Sequence, residues 1–116
     1  MFEWACRMAS PGTMVSMTTF TIEYAYDDRS VERDQHRPAH RAYLPQLASE
    51  GRMLAYGRYD DAGAPGALLV CEAEHLEDVE RVIAGDPFVA AGLVPEHRIR
   101  TWPAVFGQGL AARLDG

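Results

Sequence analysis

In "MTTFTIEYAY", residues 17 to 26, Phe20, Ile22, Tyr24 and Tyr26 alternate with Thr19, Thr21, Glu23 and Ala25. A period of two predicts a β-strand with one buried and one wetted face. "DDRS" then offers turn and capping chemistry, and from Pro38 the residues Ala39, Tyr43, Leu44, Leu47 and Ala48 recur at helical spacing until Gly51. This predicts a first helix opening at Pro38. Residues 52 to 59, "RMLAYGRY", predict a second strand, "DDAGAPG" a loop, and "ALLVCEAE" at 67 to 74 a third strand. Leu76, Val79, Val82 and Ile83 mark the buried stripe of a second helix, with Glu77, Asp78, Glu80 and Arg81 outward. "HRIRTWPAVF", residues 97 to 106, predicts the last strand, and residues 107 to 116 read as a tail.

The order β-α-β-β-α-β is the ferredoxin-like plan, an α+β fold with a four-stranded antiparallel sheet and two helices on one face. Strand three departs from simple alternation. Leu68 and Val70 point one way and Leu69 and Cys71 the other, so both faces are apolar. Helices on one side cover one face only, which predicts a homodimer with Leu68/Val70 or Leu69/Cys71 at the shared surface. The alternative is cover by residues 1 to 16 and the tail. No regular pattern begins before Met17, so residues 1 to 16 read as an N-terminal extension, 17 to 106 as the domain and 107 to 116 as the C-terminal tail.

Composition narrows the function classes. A chain of 116 residues builds one domain with one core and has no room for a separate binding domain. Eleven basic against 17 acidic residues give a formal charge of −6, with the basic residues scattered, which disfavours nucleic acid and anionic membranes as partners. No apolar run approaches the roughly 20 residues of a membrane span, and the N-terminus lacks the pattern of a secretory signal. Cys6 and Cys71 form neither a disulfide framework nor a CxxC motif, which fits a reducing cytoplasm.

Two short stretches carry candidate chemistry. In "RPAH", residues 37 to 40, Pro38 suits the first helical position, which would put His40 in the first turn. There the macrodipole would disfavour imidazolium and keep the ring ready to accept a proton. His40 shares a stripe with Tyr43, Leu44 and Leu47, so a histidine satisfied at the edge of the core is the competing reading. His36 and His40 stand four apart, but a zincin motif requires glutamate where this chain has Arg37, so no metal is expected. His75 and His97 read as surface residues. In "GDPF", Asp86 followed by Pro87 is a helix cap, and a carboxylate of this kind also serves to orient a catalytic imidazole. The 46-residue separation of His40 and Asp86 does not decide between the two roles.

"RPAHRAYLPQLASEGRMLAYG", "GALLVCEAE", "GDPFVAAGLV" and "RIRTWPAVF" together resemble the YCII-related family across residues 20 to 106. The resemblance implies a dimeric α/β barrel in which His40 and Asp86 match the family's catalytic dyad. It implies little about substrate, since most members have no assigned reaction and a related branch looks like a dehydrochlorinase of hydroxylated aromatics. Two departures stand out: Arg58 replaces a frequent proline after the glycine of strand two, and Pro45 lies inside helix one. Arg37 and Arg58 are candidates for holding an anionic group, or are solvated surface arginines. Tyr24 and Tyr43 would line the pocket or fill the core. The expected function is a cofactor-independent lyase or isomerase acting on a small aromatic or lactone-like molecule, with His40 as acid/base and Asp86 orienting it. The alternatives are a non-catalytic small-molecule binding protein and a cofactor-free monooxygenase of the same architecture.

Overall fold

The computed structural model describes residues 17–104 and 107–115. Its elements run β1 (Thr18–Ala25), α1 (Ser30–Ser49), β2 (Met53–Arg58), β3 (Gly66–Ala73), α2 (Leu76–Ala84), α3 (Pro87–Ala90), β4 (Glu96–Thr101) and α4 (Gln108–Asp115). The sheet is four-stranded in the order β2-β3-β1-β4, and every pairing is antiparallel. This is the ferredoxin-like arrangement that the pattern predicts. Register fixes the faces. Ile22 lies between Leu69 and Ile99, and Tyr24 between Ala67 and His97. The buried residues Phe20, Ile22, Tyr24, Leu69 and Cys71 thus form the sheet's contribution to a core completed by Leu44 and Leu47 of α1 and Val79, Val82 and Ile83 of α2.

The helices depart from the sequence reading in three places. Helix α1 opens at Ser30, two turns before Pro38, and runs through both Pro38 and Pro45. Each proline removes one N–H and frees the carbonyl four residues back, that of Asp34 and of Arg41. Positions 34, 38, 41 and 45 fall on one stripe of the helix, and all four residues are exposed, so the proline stripe lies on the solvent side of α1, away from the core. His40 therefore sits midway along α1, not in its first turn, and His36 lies inside the helix as well. Leu76, at the first position of α2, is 47% exposed and does not belong to the buried stripe. The last strand stops at Thr101, short of Phe106, and part of the expected tail is helical as α4.

The face of the sheet away from α1 and α2 carries Leu68, Val70, Thr21 and Ala55. Val70 is only 7% exposed and Leu68 is half-buried within a single chain, so this face is less open than the strand pattern suggests. Leu69 and Cys71 belong to the helix side. Residues 1 to 16 lie outside the described residues.

Candidate functional site

The site forms where α1 meets the turn before α3. Asp86 caps α3: its Oδ1 accepts the Phe88 N–H at 2.9 Å, and Pro87 supplies the first helical position. The same oxygen lies 2.8 Å from His40 Nδ1. The other, Oδ2, accepts the Tyr24 hydroxyl at 3.0 Å. Asp86 is 1% exposed, so a carboxylate that would be costly to bury alone is offset by three donors from three elements. Capping and contact with His40 are not alternatives here. One carboxylate does both.

That contact sets the imidazole. A carboxylate oxygen only accepts, so Nδ1 is the donor, and in the neutral ring the lone pair is on Nε2. No buried side-chain nitrogen or oxygen among the described residues lacks a partner, and Nδ1 makes the ring's hydrogen bond, so Nε2 reaches the solvent-open side. The Phe88 ring stacks on the imidazole with centroids 4.0 Å apart and planes 4° from parallel. The "GDPF" turn thus grips His40 twice, at Nδ1 and on one face. Tyr26 stands edge-on to Phe88 at 5.9 Å, and Arg33 lies over the Tyr26 ring at 4.7 Å while pairing with Asp27 at 3.3 Å.

Burial, then the Asp86 charge and the hydrogen bond to it, push the Tyr24 hydroxyl far above the ordinary phenol range. Burial and Asp86 raise Tyr26 to about 12, against the opposing pull of Arg33 and Arg37. Both phenols stay protonated near neutral pH, so Tyr24 holds Asp86 as a donor and does not act as a base. Cys71 is buried and its thiol is pushed up to about 11 by burial, which makes it inert.

A cleft of about 410 Å³ opens beside His40, between α1 and the β2 edge, and Arg37, Arg58, Tyr26, Arg41 and Tyr56 line it too. Of the residues singled out from sequence, His40, Arg37 and Arg58 line this cleft and Asp86 stands behind His40. Tyr24 does not line it, because its hydroxyl is turned to Asp86. Tyr43 sits on the core side, donating to the Val82 carbonyl at 2.7 Å. Sequence reasoning missed Tyr26, Arg41, Tyr56 and Phe88. Arg41 follows Arg37 by one turn and Tyr56 precedes Arg58 by two in a strand, so spacing could have found both. His75 and His97 are exposed, and among the described residues no group of three or more His, Cys, Asp or Glu is placed to hold a metal ion. No helix of the described residues is long and apolar enough to cross a membrane.

Residues 17–103 match the model of the YCII-related domain. The chain belongs to the YCII-related family. As a member it is 36% identical to Protein YciI of Escherichia coli over 95 residues, 73% of this chain and 97% of that one. Its structure is similar to 5-chloro-2-hydroxyhydroquinone dehydrochlorinase (TftG) from Burkholderia phenoliruptrix, solved in complex with 2,5-dihydroxybenzoquinone. That likeness has a TM-score of 0.65 and 27% identity, covering 78% of this chain and 97% of the other. An antibiotic biosynthesis monooxygenase shares the fold at a TM-score of 0.50 and 13% identity, covering 78% of this chain and 100% of that one. At that identity the likeness concerns the fold alone.

Proposed function

We propose that this YCII-related protein is a cofactor-independent lyase or isomerase that moves a proton on a small hydroxylated ring compound. The observation that carries the reading is the 2.8 Å contact between His40 Nδ1 and Asp86, which leaves Nε2 free beside the cleft. In this reading Nε2 takes a proton from a ring hydroxyl or an adjacent carbon. Asp86 stabilises the imidazolium formed, and the proton returns to the substrate or accompanies a leaving group. TftG, whose name gives it a dehydrochlorinase activity, supports a ring substrate and an elimination. We place the protein in the cytoplasm and assign it as a homodimer joined through the Leu68 and Val70 face of the sheet.

The test is chloride release from 5-chloro-2-hydroxyhydroquinone, followed with the wild-type protein and with His40→Ala. General acid/base groups contribute roughly 10²- to 10⁴-fold, so the variant should lose at least a hundredfold. Binding of 2,5-dihydroxybenzoquinone without turnover of any ring substrate would favour the binding-protein reading. Oxygen consumption would favour a monooxygenase.

A further inference from the structure

The cleft beside His40 has a charge opposite to that of the molecule. The chain carries a formal charge of −6, yet Arg37, Arg41 and Arg58 line the cleft and no aspartate or glutamate does. Arg37 is held by Asp34 at 3.2 Å. Among the described residues neither Arg41 nor Arg58 is paired with a carboxylate. Arg41 stands one helical turn beyond Arg37, a like-charge spacing that is unfavourable in an isolated helix. Arg58 closes β2 on the face that also carries Tyr56, since Tyr56 pairs with Leu69 and Arg58 with Ala67. Two free guanidinium groups, one from α1 and one from the sheet edge, thus meet at one opening. The rest of the wall is aromatic and apolar, with Tyr26, Tyr56, Leu44 and Leu69 around a volume of about 410 Å³, a size suited to one substituted ring.

The geometry points to a single-ring hydroxylated aromatic acid as the substrate class, its carboxylate held between Arg41 and Arg58 and its ring hydroxyl presented to His40. The inference rests on the reading of His40 as the proton-transfer group and adds the substrate's charge and its recognition. Guanidinium suits this task because its fork matches a carboxylate bidentately and its charge is permanent. A neutral ring would leave both arginines unused and gain only the apolar contacts.

Isothermal titration of the full chain with 2,5-dihydroxybenzoate and with its methyl ester tests this, because the two differ chiefly in charge. The acid should bind at least tenfold tighter than the ester. Arg41→Gln and Arg58→Gln should each cost about tenfold for the acid and leave the ester within twofold. Raising the salt to 0.5 M should narrow the preference. Both arginines are exposed, and a thermal melt checks that each variant is folded. Equal binding of acid and ester, no binding of the acid, or equal weakening of both by the glutamine variants would overturn the proposal. His40→Ala separates it from the catalytic reading: affinity for the acid should stay within about threefold while chloride release is lost. A preference for the acid with turnover unaffected in His40→Ala would sink the catalytic reading and leave the substrate class standing.

Discussion

Replacing Asp86 with alanine and with asparagine should give two very different proteins. In the wild type Asp86 accepts from the Phe88 N–H, the Tyr24 hydroxyl and His40 Nδ1, all of them buried. Alanine strands all three donors and removes the cap of α3. A buried donor left unsatisfied costs about 1–3 kcal/mol, so the loss for three is on the order of 3–9 kcal/mol against a typical total of about 5–15. At ~4 °C per kcal/mol for a chain of this size, that lowers Tm by roughly 12–36 °C. Asparagine keeps an acceptor oxygen for Phe88 and His40 and turns its amide toward Tyr24, whose hydroxyl can accept. Asparagine also caps about as well as aspartate, so the stability loss should stay within ~1 kcal/mol. The charge that stabilises imidazolium is gone, however, and turnover should fall about 10²- to 10⁴-fold. Thermal melting gives the first quantity and chloride release from the chlorinated hydroxyhydroquinone the second. Turnover of Asp86→Asn within twofold of wild type would show that the carboxylate's charge has no part in the chemistry. A melt of Asp86→Ala within about 3 °C of wild type would show that the three bonds contribute nothing, contrary to the magnitude expected of them.

Further outcomes follow from the packing. Cys71 is raised from 9.0 to about 11 and Tyr26 from 10.0 to about 12 by burial. Their contribution to stability is therefore complete below about pH 9 and is lost as pH rises through the folded values, because the unfolded chain releases those protons first. At ~1.4 kcal/mol per unit, Cys71 accounts for about 3 kcal/mol and the part-exposed Tyr26 for roughly half that. Urea midpoints should drop between pH 9 and 12, and a flat profile would contradict this. A Cβ on Gly66 would stand 2.4 Å from the Tyr24 carbonyl oxygen, a clash of backbone with backbone, so Gly66→Ala should cost ~2–3 kcal/mol in urea unfolding. In sedimentation at micromolar concentration the wild type should run at about twice 12.9 kDa and Leu68→Glu as a monomer. A wild-type monomer would remove the assigned sheet-to-sheet interface.

The strands were legible because alternation records burial directly. Phe20, Ile22 and Tyr24 are buried and Thr21 and Glu23 less so, in step with their pairing. The first two turns of α1 were not legible, because their one inward residue is a charged one. Arg33, 5% exposed, is made compatible with the interior by Asp27 and by the Tyr26 ring, and hydrophobic periodicity does not register such a residue. Pro38 misled for a related reason. A proline stops a helix where the freed carbonyl would be buried, and here that carbonyl belongs to the exposed residue Asp34. The proximity of His40 and Asp86 was not readable from spacing at all. It arises from the sheet pairing that sets α1 beside the turn before α3, and the family resemblance alone brought the two residues together.

The true start of α1 also changes what governs the His40 ring. A macrodipole acts within the first or last turn of its helix, and His40 lies near the middle of α1, so the helix end has no hold on it. The ring is governed locally instead, by Asp86 at Nδ1 and by Phe88 stacked on its face. The two accounts predict opposite sensitivities. Glu32→Gln removes the acidic residue of the first turn and should leave turnover within twofold of wild type, since the change lies two turns from the imidazole. Phe88→Leu removes the stacked ring from a fully buried position while keeping the backbone N–H that binds Asp86. It should cost ~1–3 kcal/mol of stability and lower turnover at least tenfold, because the imidazole is then fixed at one nitrogen and free to tilt. Should Glu32→Gln slow the reaction as much as Phe88→Leu does, the helix terminus would regain its role and the "GDPF" turn would reduce to a cap.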